Sequence, residues 1–271
     1  MPESPHTSSP RTSSPRTSPP RTSNSVGVIL AAGMAKRLRP LTDEKPKCLL
    51  EVGGKTLLER TVRAMQQAGI NEFVVVTGYR ADQIRTFLTA MAGLPNHEAP
   101  IFHFLHNADY EHNNNIYSLW LAMEVVRGRD FLLMDSDILC DPAAVVRIAQ
   151  QTEPALALNR HECGEEEIKV IIDDSGHITQ LNKTCNPADA IGESVGIERM
   201  TADYSEALYH ELERMILDEG LIDVFYERAF ERLIPQGHTF RVVDTTSYFS
   251  YELDTPEDFL RAQELMPKEL L

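Results

Sequence analysis

The 271-residue sequence is first narrowed by what it lacks. Its four cysteines, Cys48, Cys140, Cys163 and Cys185, form no Cys-x-x-Cys pair. That argues against a structural zinc site or a disulfide scaffold and for reduced thiols in a cytoplasmic protein. No apolar run approaches the roughly 18 residues of a membrane span, and the N-terminus has no apolar signal-peptide core. Positive charge is scarce: 26 Lys and Arg stand against 41 Asp and Glu, a formal charge of −15. Nucleic acids and anionic membranes both select a basic face, so neither is expected as a partner. Two phosphate-binding signatures are missing from the first Gly-bearing turn. Only Gly33 lies between Leu30 and Pro40, which excludes a G-x-G-x-x-G fingerprint there, and no Gly-Lys-Ser/Thr closes residues 30–47 as in a Walker A loop.

What is present falls into two unequal parts. Residues 1–25 repeat "SPRTS SPRTS PPRTS"; Pro, Ser, Thr and Arg cannot bury enough apolar surface to offset ordering, so a disordered tail is expected. From Val26 onward a folded domain is expected to run to Leu271. "VGVILA" (26–31), "FVVVTG" (73–78), "IFHFLHN" (101–107) and "DFLLMDSD" (130–137) read as strands, with helical spacing over 56–69, 81–91 and 116–126. Strands alternating with helices predict an α/β fold with a mainly parallel sheet, whose ligand sites lie at the carboxyl ends of the strands. Gly33, Gly78 and Asp137 all fall there. The second half is less regular. A hairpin over 168–183, helices over 203–217 and 222–234, and strands in "FRVVD" and "YFSYELD" suggest an inserted or appended lid-like region of the same domain. A last helix starts at Thr255 as N-cap, with Pro256 at its first position and Asp258 at its third.

Against the acidic background, "LAAGMAKRLRPLTDEKPK" (30–47) concentrates five cations: Lys36, Arg37, Arg39, Lys45 and Lys47. Small residues at Ala31, Ala32 and Gly33 let backbone N–H groups approach a base or phosphate, and cations behind them neutralise phosphate oxygens. The stretch closely resembles the N-terminal signature of nucleotidyltransferases that join an NTP to a phosphorylated metabolite and release pyrophosphate. The family pattern L-A-A-G-x-x-x-R-x-x-P-x-T, followed by P-K, is matched at Leu30, Ala31, Ala32, Gly33, Arg37, Pro40, Thr42, Pro46 and Lys47. Further on, Gly78-Tyr79, "NNIYSLWLA" (114–122) and "LLMDSDILCD" are similar to segments of bacterial choline-phosphate cytidylyltransferases.

The resemblance implies a Rossmann-like, mainly parallel sheet flanked by helices, of the nucleotide-diphospho-sugar transferase type. It implies nucleotide binding by Leu30, Ala31, Ala32, Gly33, Gly78 and Tyr79, with Arg37 on the triphosphate and Lys47 at the reacting phosphates. Asp137 and Asp254 would hold Mg²⁺, with Glu252 as an extra ligand. Asn115, Lys183, Asp223 and Tyr226 become acceptor-binding candidates. A quaternary ammonium acceptor calls for aromatic faces, for which Tyr117, Trp120, Tyr209 and Tyr226 are available, although Trp120 sits on an apolar helix face that suits core packing. The implied reaction joins CTP to phosphocholine or a close phosphoalcohol, in a chain that can form a homodimer. Sugar-1-phosphate, inositol-1-phosphate and aminoethylphosphonate acceptors stay open. So does a non-catalytic nucleotide-binding regulator, against which the presence of Arg37, Lys47, Asp137 and Asp254 weighs. Lys36, Arg39 and Lys45 read as bystanders.

Overall fold

Short apolar strands bounded by amphipathic helices can bury both faces of a sheet only if the helices pack on either side of it. The computed structural model, which describes residues 25–93, 99–165 and 167–270, shows that arrangement. The tail expected over 1–25 lies, apart from Ser25, outside the described residues. The first half carries β1 (Val26–Ala31), β2 (Glu51–Val52), β3 (Lys55–Thr56), α1 (Leu57–Gln67), β4 (Glu72–Thr77), α2 (Ala81–Ala92), β5 (Ile101–His106) and α3 (Asn115–Val126). Next come β6 (Phe131–Asp135), β7 (Ile138–Cys140), α4 (Pro142–Ala149), β8 (Ala155–Asn159), β9 (Lys169–Ile172) and β10 (Ile178–Asn182). The chain ends with β11 (Gly192–Met200), α5 (Ala202–Glu213), α6 (Glu227–Leu233), β12 (Arg241–Asp244), β13 (Ser250–Glu252) and α7 (Pro256–Leu265).

Strands β6, β1, β4 and β5 pair in parallel, and β11 closes the other side of β6 antiparallel. Side chains alternate across β1 with period two. Val26, Val28 and Leu30 enter a core with α3, α5 and α6, while Ile29 and Ala31 enter a second core with α1, α2 and α4. Burial on both faces explains why these strands read as continuous apolar runs.

The second half is not a separate lid: β8 to β12 join the same sheet through β11. That strand starts beside β9 at Gly192 and Glu193, then shifts register against β8 between Ser194 and Glu198 and continues beside β6. Gly196 sits in the shift at φ +74°, where a Cβ would stand 3.0 Å from Ile138 and 3.1 Å from Asp135. A glycine permits the bulge that turns the strand beside the strand ends.

Several sequence boundaries move. The strand expected to reach Asp137 ends at Asp135, and Asp137 lies in the turn before β7. The helix expected from 222 begins at Glu227, and "YFSYELD" shortens to Ser250–Glu252. Strands β7, β8 and β11 and helix α4 were not legible as such. The closing helix is as read: Thr255 Oγ1 accepts from the Asp258 backbone N–H, and the Asp258 carboxylate accepts from the Thr255 N–H in return.

Candidate active site

Three separate devices bring the charged groups of the site together at the carboxyl ends of β1 and β6. The first is the loop after β1. Ala35 takes a left-handed conformation, its carbonyl accepts from the buried Thr42 hydroxyl at 3.0 Å, and Leu38 anchors the following turn in the core. The side chains of Tyr79, Arg80 and Gln83 then hold the far side of this loop. Tyr79 Oη donates toward the carbonyls of Thr42 and Asp43 at 2.8 Å each, Arg80 donates to Asp43 O, and Gln83 donates to Glu44 O.

The second device is the short β7–β13 ladder. Its pairing of Glu252 with Ile138, together with a Leu253 N–H to Asp137 O bond of 3.3 Å, sets Glu252 and Asp254 beside Asp137. The capping box of α7 fixes the backbone just after Asp254. The third is the extended Pro46, which delivers Lys47 into a single 3₁₀ turn over buried Cys48 and Leu49.

The result is an interlocked set of charges. Buried Lys47 donates from Nζ to Asp137 Oδ2 at 2.9 Å and to Asp254 Oδ1 at 3.0 Å. Exposed Arg37 donates to Asp254 Oδ2 at 2.6 Å. Burial pulls the Lys47 ammonium down, but Asp137 and Asp254 more than offset it and hold the pKa above the usual lysine value. Desolvation first, then Asp137 and Asp254, push the Glu252 carboxyl up to about 7. Ligand oxygens of Asp137, Glu252 and Asp254 all lie within 4.8 Å of one another. Three carboxylates on a shared centre form a hard oxygen donor set that fits Mg²⁺.

These groups open onto a cavity of about 660 Å³. Leu30, Ala31, Ala32 and Gly33 line it, together with Arg37, Lys47, Asn115, Asp137, Lys183, Glu252 and Asp254. The fold makes no demand for glycine at Gly33, since a Cβ there meets nothing within 4 Å; its bareness leaves space over the strand end. Gly78 differs. A Cβ there would stand 2.7 Å from Ala32 O and 2.8 Å from Tyr110 Cβ, so this glycine serves packing between β1 and β4.

Gly78, Tyr79, Asp223 and Tyr226 are not part of the cavity lining. Tyr79, expected at the nucleotide, holds the loop through its hydroxyl. Tyr226 is fully buried and donates from Oη to Asp135 Oδ2 at 2.9 Å. Asn114 caps α3, whereas Asn115 Oδ1 accepts from the Tyr226 N–H at 2.9 Å and ties the α6 approach to the site. Arg39 and Lys45 pair with Asp43 and Glu51 on the surface, and neither they nor Lys36 line the cavity.

Sequence reading missed part of the wall. Buried Asn107 bonds to both Asn113 and Ser118, and all three line the cavity. Glu227 also lines it, and Glu198 is fully buried behind. A carboxylate within a strand of mixed polarity or at a helix start resembles a solvated charge in sequence. Only the three-dimensional pairing shows otherwise.

Fold and site together define a nucleotidyltransferase. The chain belongs to the MobA-like NTP transferase domain family, whose model matches residues 27–232. It is 28% identical over 238 residues to a CTP:phosphoglutamine cytidylyltransferase of Campylobacter jejuni, covering 80% of this chain and 91% of that protein. It is 23% identical over 242 residues to a choline-phosphate cytidylyltransferase of Streptococcus pneumoniae, covering 89% of this chain and 98% of that protein. Among solved structures, a CTP:phosphocholine cytidylyltransferase from Streptococcus pneumoniae superposes with a TM-score of 0.75 at 20% identity, over 90% of this chain and all of that one. An inositol-1-phosphate CTP transferase from T. maritima gives 0.72 at 20% identity, over 92% and 94%. Among the described residues no helix is long and apolar enough to cross a membrane.

Proposed function

We propose that the chain is a cytidylyltransferase that joins CTP to a small acceptor bearing a phosphate or phosphonate and releases pyrophosphate. The observation that carries this reading is the placement of Lys47. It is a buried cation, held between two carboxylates from different elements, at the edge of a cavity floored by the small residues of β1. Relatives named for CTP-dependent transfer to phosphoglutamine, choline phosphate and 2-aminoethylphosphonate support the choice of nucleotide and acceptor class.

In this reading the backbone of Leu30 to Gly33 receives the base and ribose. An oxygen of the acceptor phosphate, ionised at neutral pH, forms a bond to the α-phosphorus while the α–β bridging bond breaks and pyrophosphate leaves. Lys47 faces the reacting phosphates and Arg37 the departing ones, so positive charge stands where negative charge accumulates. No proton-abstracting base is required. Asp137, Glu252 and Asp254 would hold Mg²⁺, which when bound supplies further charge neutralisation to phosphate oxygens. Nucleotide phosphates compete with Asp137 and Asp254 for Lys47 and Arg37, leaving the carboxylates available to the metal.

The test is pyrophosphate release across four NTPs, each with choline phosphate, phosphoethanolamine, 2-aminoethylphosphonate, inositol-1-phosphate and a hexose-1-phosphate, with and without Mg²⁺. The reading predicts turnover with CTP, Mg²⁺ and one of the first three acceptors. Turnover confined to UTP or to a sugar phosphate would replace the substrate assignment. Nucleotide binding without turnover on any acceptor would favour a regulator over an enzyme.

A further inference from the structure

Among the described residues, one wall of the cavity gathers carboxyl groups with few cations beside them. Asp135 at the end of β6 and Glu227 at the start of α6 line it, and Glu198 of β11 lies fully buried behind. Glu227 directly follows Tyr226, whose hydroxyl reaches Asp135, and both Asp135 and Glu227 lie close enough to Glu198 to act on its ionisation. Glu227 is 8% exposed and its Oε2 has no hydrogen-bond partner among the described residues; the same holds for Glu198 Oε2 and for the buried Tyr204 hydroxyl. Asp135 accepts from Tyr226. Among the described residues Lys183 acts on Glu227, and one ammonium neutralises one carboxylate. Unpartnered carboxyl oxygens in a buried wall cost several kcal/mol each in an isolated ionised form, so the wall is arranged for a cation or holds its protons. Desolvation pushes Glu227 up to about 7 and Glu198 well above the usual carboxylate range.

The surroundings distinguish between kinds of cation. A quaternary ammonium has no N–H and is held by aromatic faces. Tyr117 and Trp120 pack on each other with ring centroids 5.2 Å apart and do not line the cavity. Tyr209 donates its hydroxyl to Leu119 O within the core, and Tyr226 donates its hydroxyl to Asp135. Phe225 and Tyr110 are the aromatic residues that line the cavity, and the Lys183 ammonium already stands 5.2 Å from the Phe225 ring. What the wall does offer is carboxyl oxygen left without a hydrogen-bond partner, which pairs with N–H donors.

We infer that the wall formed by Asp135 and Glu227 takes the primary ammonium end of the acceptor, in preference to a quaternary ammonium or a neutral alcohol. This rests on the cytidylyltransferase reading above and narrows its acceptor. The phosphate end would then lie toward Lys47 and the amine toward Glu227, so the two ends of the acceptor are sorted by charge within one cavity.

The test is kcat/KM for three acceptors of matched length at saturating CTP and Mg²⁺: phosphoethanolamine, phosphocholine and 2-hydroxyethyl phosphate. The expected preference for phosphoethanolamine over each of the others is about tenfold or more, the factor equivalent to roughly 1.4 kcal/mol. In Glu227→Gln, whose fold is checked by thermal melting, the preference should collapse to within about twofold. Phosphocholine or the hydroxyl compound matching phosphoethanolamine would overturn the inference even without a variant. So would Glu227→Gln keeping the parent's preference. Absence of pyrophosphate from all three acceptors and from 2-aminoethylphosphonate would overturn the cytidylyltransferase reading and this one with it. Failure of the inference alone shows as turnover without amine preference.

Discussion

The two charged walls of the cavity follow different rules. On the wall built from the loop after β1 and the β7–β13 ladder, opposite charges meet directly: Lys47 on Asp137 and Asp254, Arg37 on Asp254. On the wall built from β6, β11 and α6, Asp135, Glu198 and Glu227 gather, and among the described residues Lys183 acts on Glu227. The first wall is complete in that both its cations are paired within the protein, and in the proposed reaction nucleotide phosphates would take them over. The second is incomplete, and a ligand can complete it. A site that holds stability on one side and forgoes it on the other is what binding requires, since unsatisfied groups are the ones left free to recognise a substrate.

The largest effect expected from breaking this contrast is at Lys47. Lys47→Ala removes the cation nearest the proposed reacting phosphates and should lower kcat by about 10²–10³, the range seen when one electrostatic group is removed from an active site. Steady-state pyrophosphate release, with circular dichroism as the folding control, measures it.

A second prediction concerns stability and carries a sign. Glu227 has a folded-state pKa of about 7 against an ordinary value of 4.5. Below about pH 4.5 both folded and unfolded chains hold its proton, so there is no penalty. Between these values the unfolded chain releases the proton and the folded one keeps it, and stability falls as pH rises. Above about pH 7 the penalty is constant. Glu227→Gln should therefore be more stable than the parent by up to about 3 kcal/mol at pH 8, with the gain vanishing toward pH 4. Urea unfolding at several pH values checks both size and direction.

A third comparison sets two glycines against each other. Gly78→Ala must displace Ala32 O or Tyr110 and should cost about 1–3 kcal/mol, within the range for overpacking. Gly33→Ala meets nothing and should leave the melting temperature unchanged while raising KM for CTP, because the added methyl enters nucleotide space. The smallest effect belongs to the surface pairs. Arg39→Ala or Lys45→Ala breaks an exposed ion pair and should change stability by no more than about 0.5 kcal/mol, with kcat unaltered.

The contrast between the walls also separates what the sequence disclosed from what it concealed. The complete wall was legible because its residues stand in a dense local pattern: Gly33, Arg37, Pro46 and Lys47 lie within one loop, and Asp254 precedes a readable capping box. The incomplete wall was not. Strand β11 reads "GESVGIERM", with two glycines and three charged residues, so period-two alternation is obscured. Gly196 serves a register shift, Gly192 a close approach to the Asn159 backbone, and buried Arg199 pairs with Asp130, which are tertiary facts. Nothing in the sequence singled out Glu227, and Tyr226, an acceptor-binding candidate, lies buried with its hydroxyl on Asp135. Helix α4 did carry a signal, Asp141 as N-cap with Pro142 at its first position, within a segment too short for clear periodicity.

The central claim is that Lys47, Asp137 and their cavity transfer a cytidylyl group to a phosphorylated acceptor. The most direct measurement is ³¹P NMR of the protein with CTP, Mg²⁺ and phosphoethanolamine. The account predicts a new pair of coupled diphosphate resonances growing in step with pyrophosphate, absent in folded Lys47→Ala and Asp137→Ala variants. Pyrophosphate appearing with CMP and no diphosphate product, or equal turnover in both variants, would contradict it.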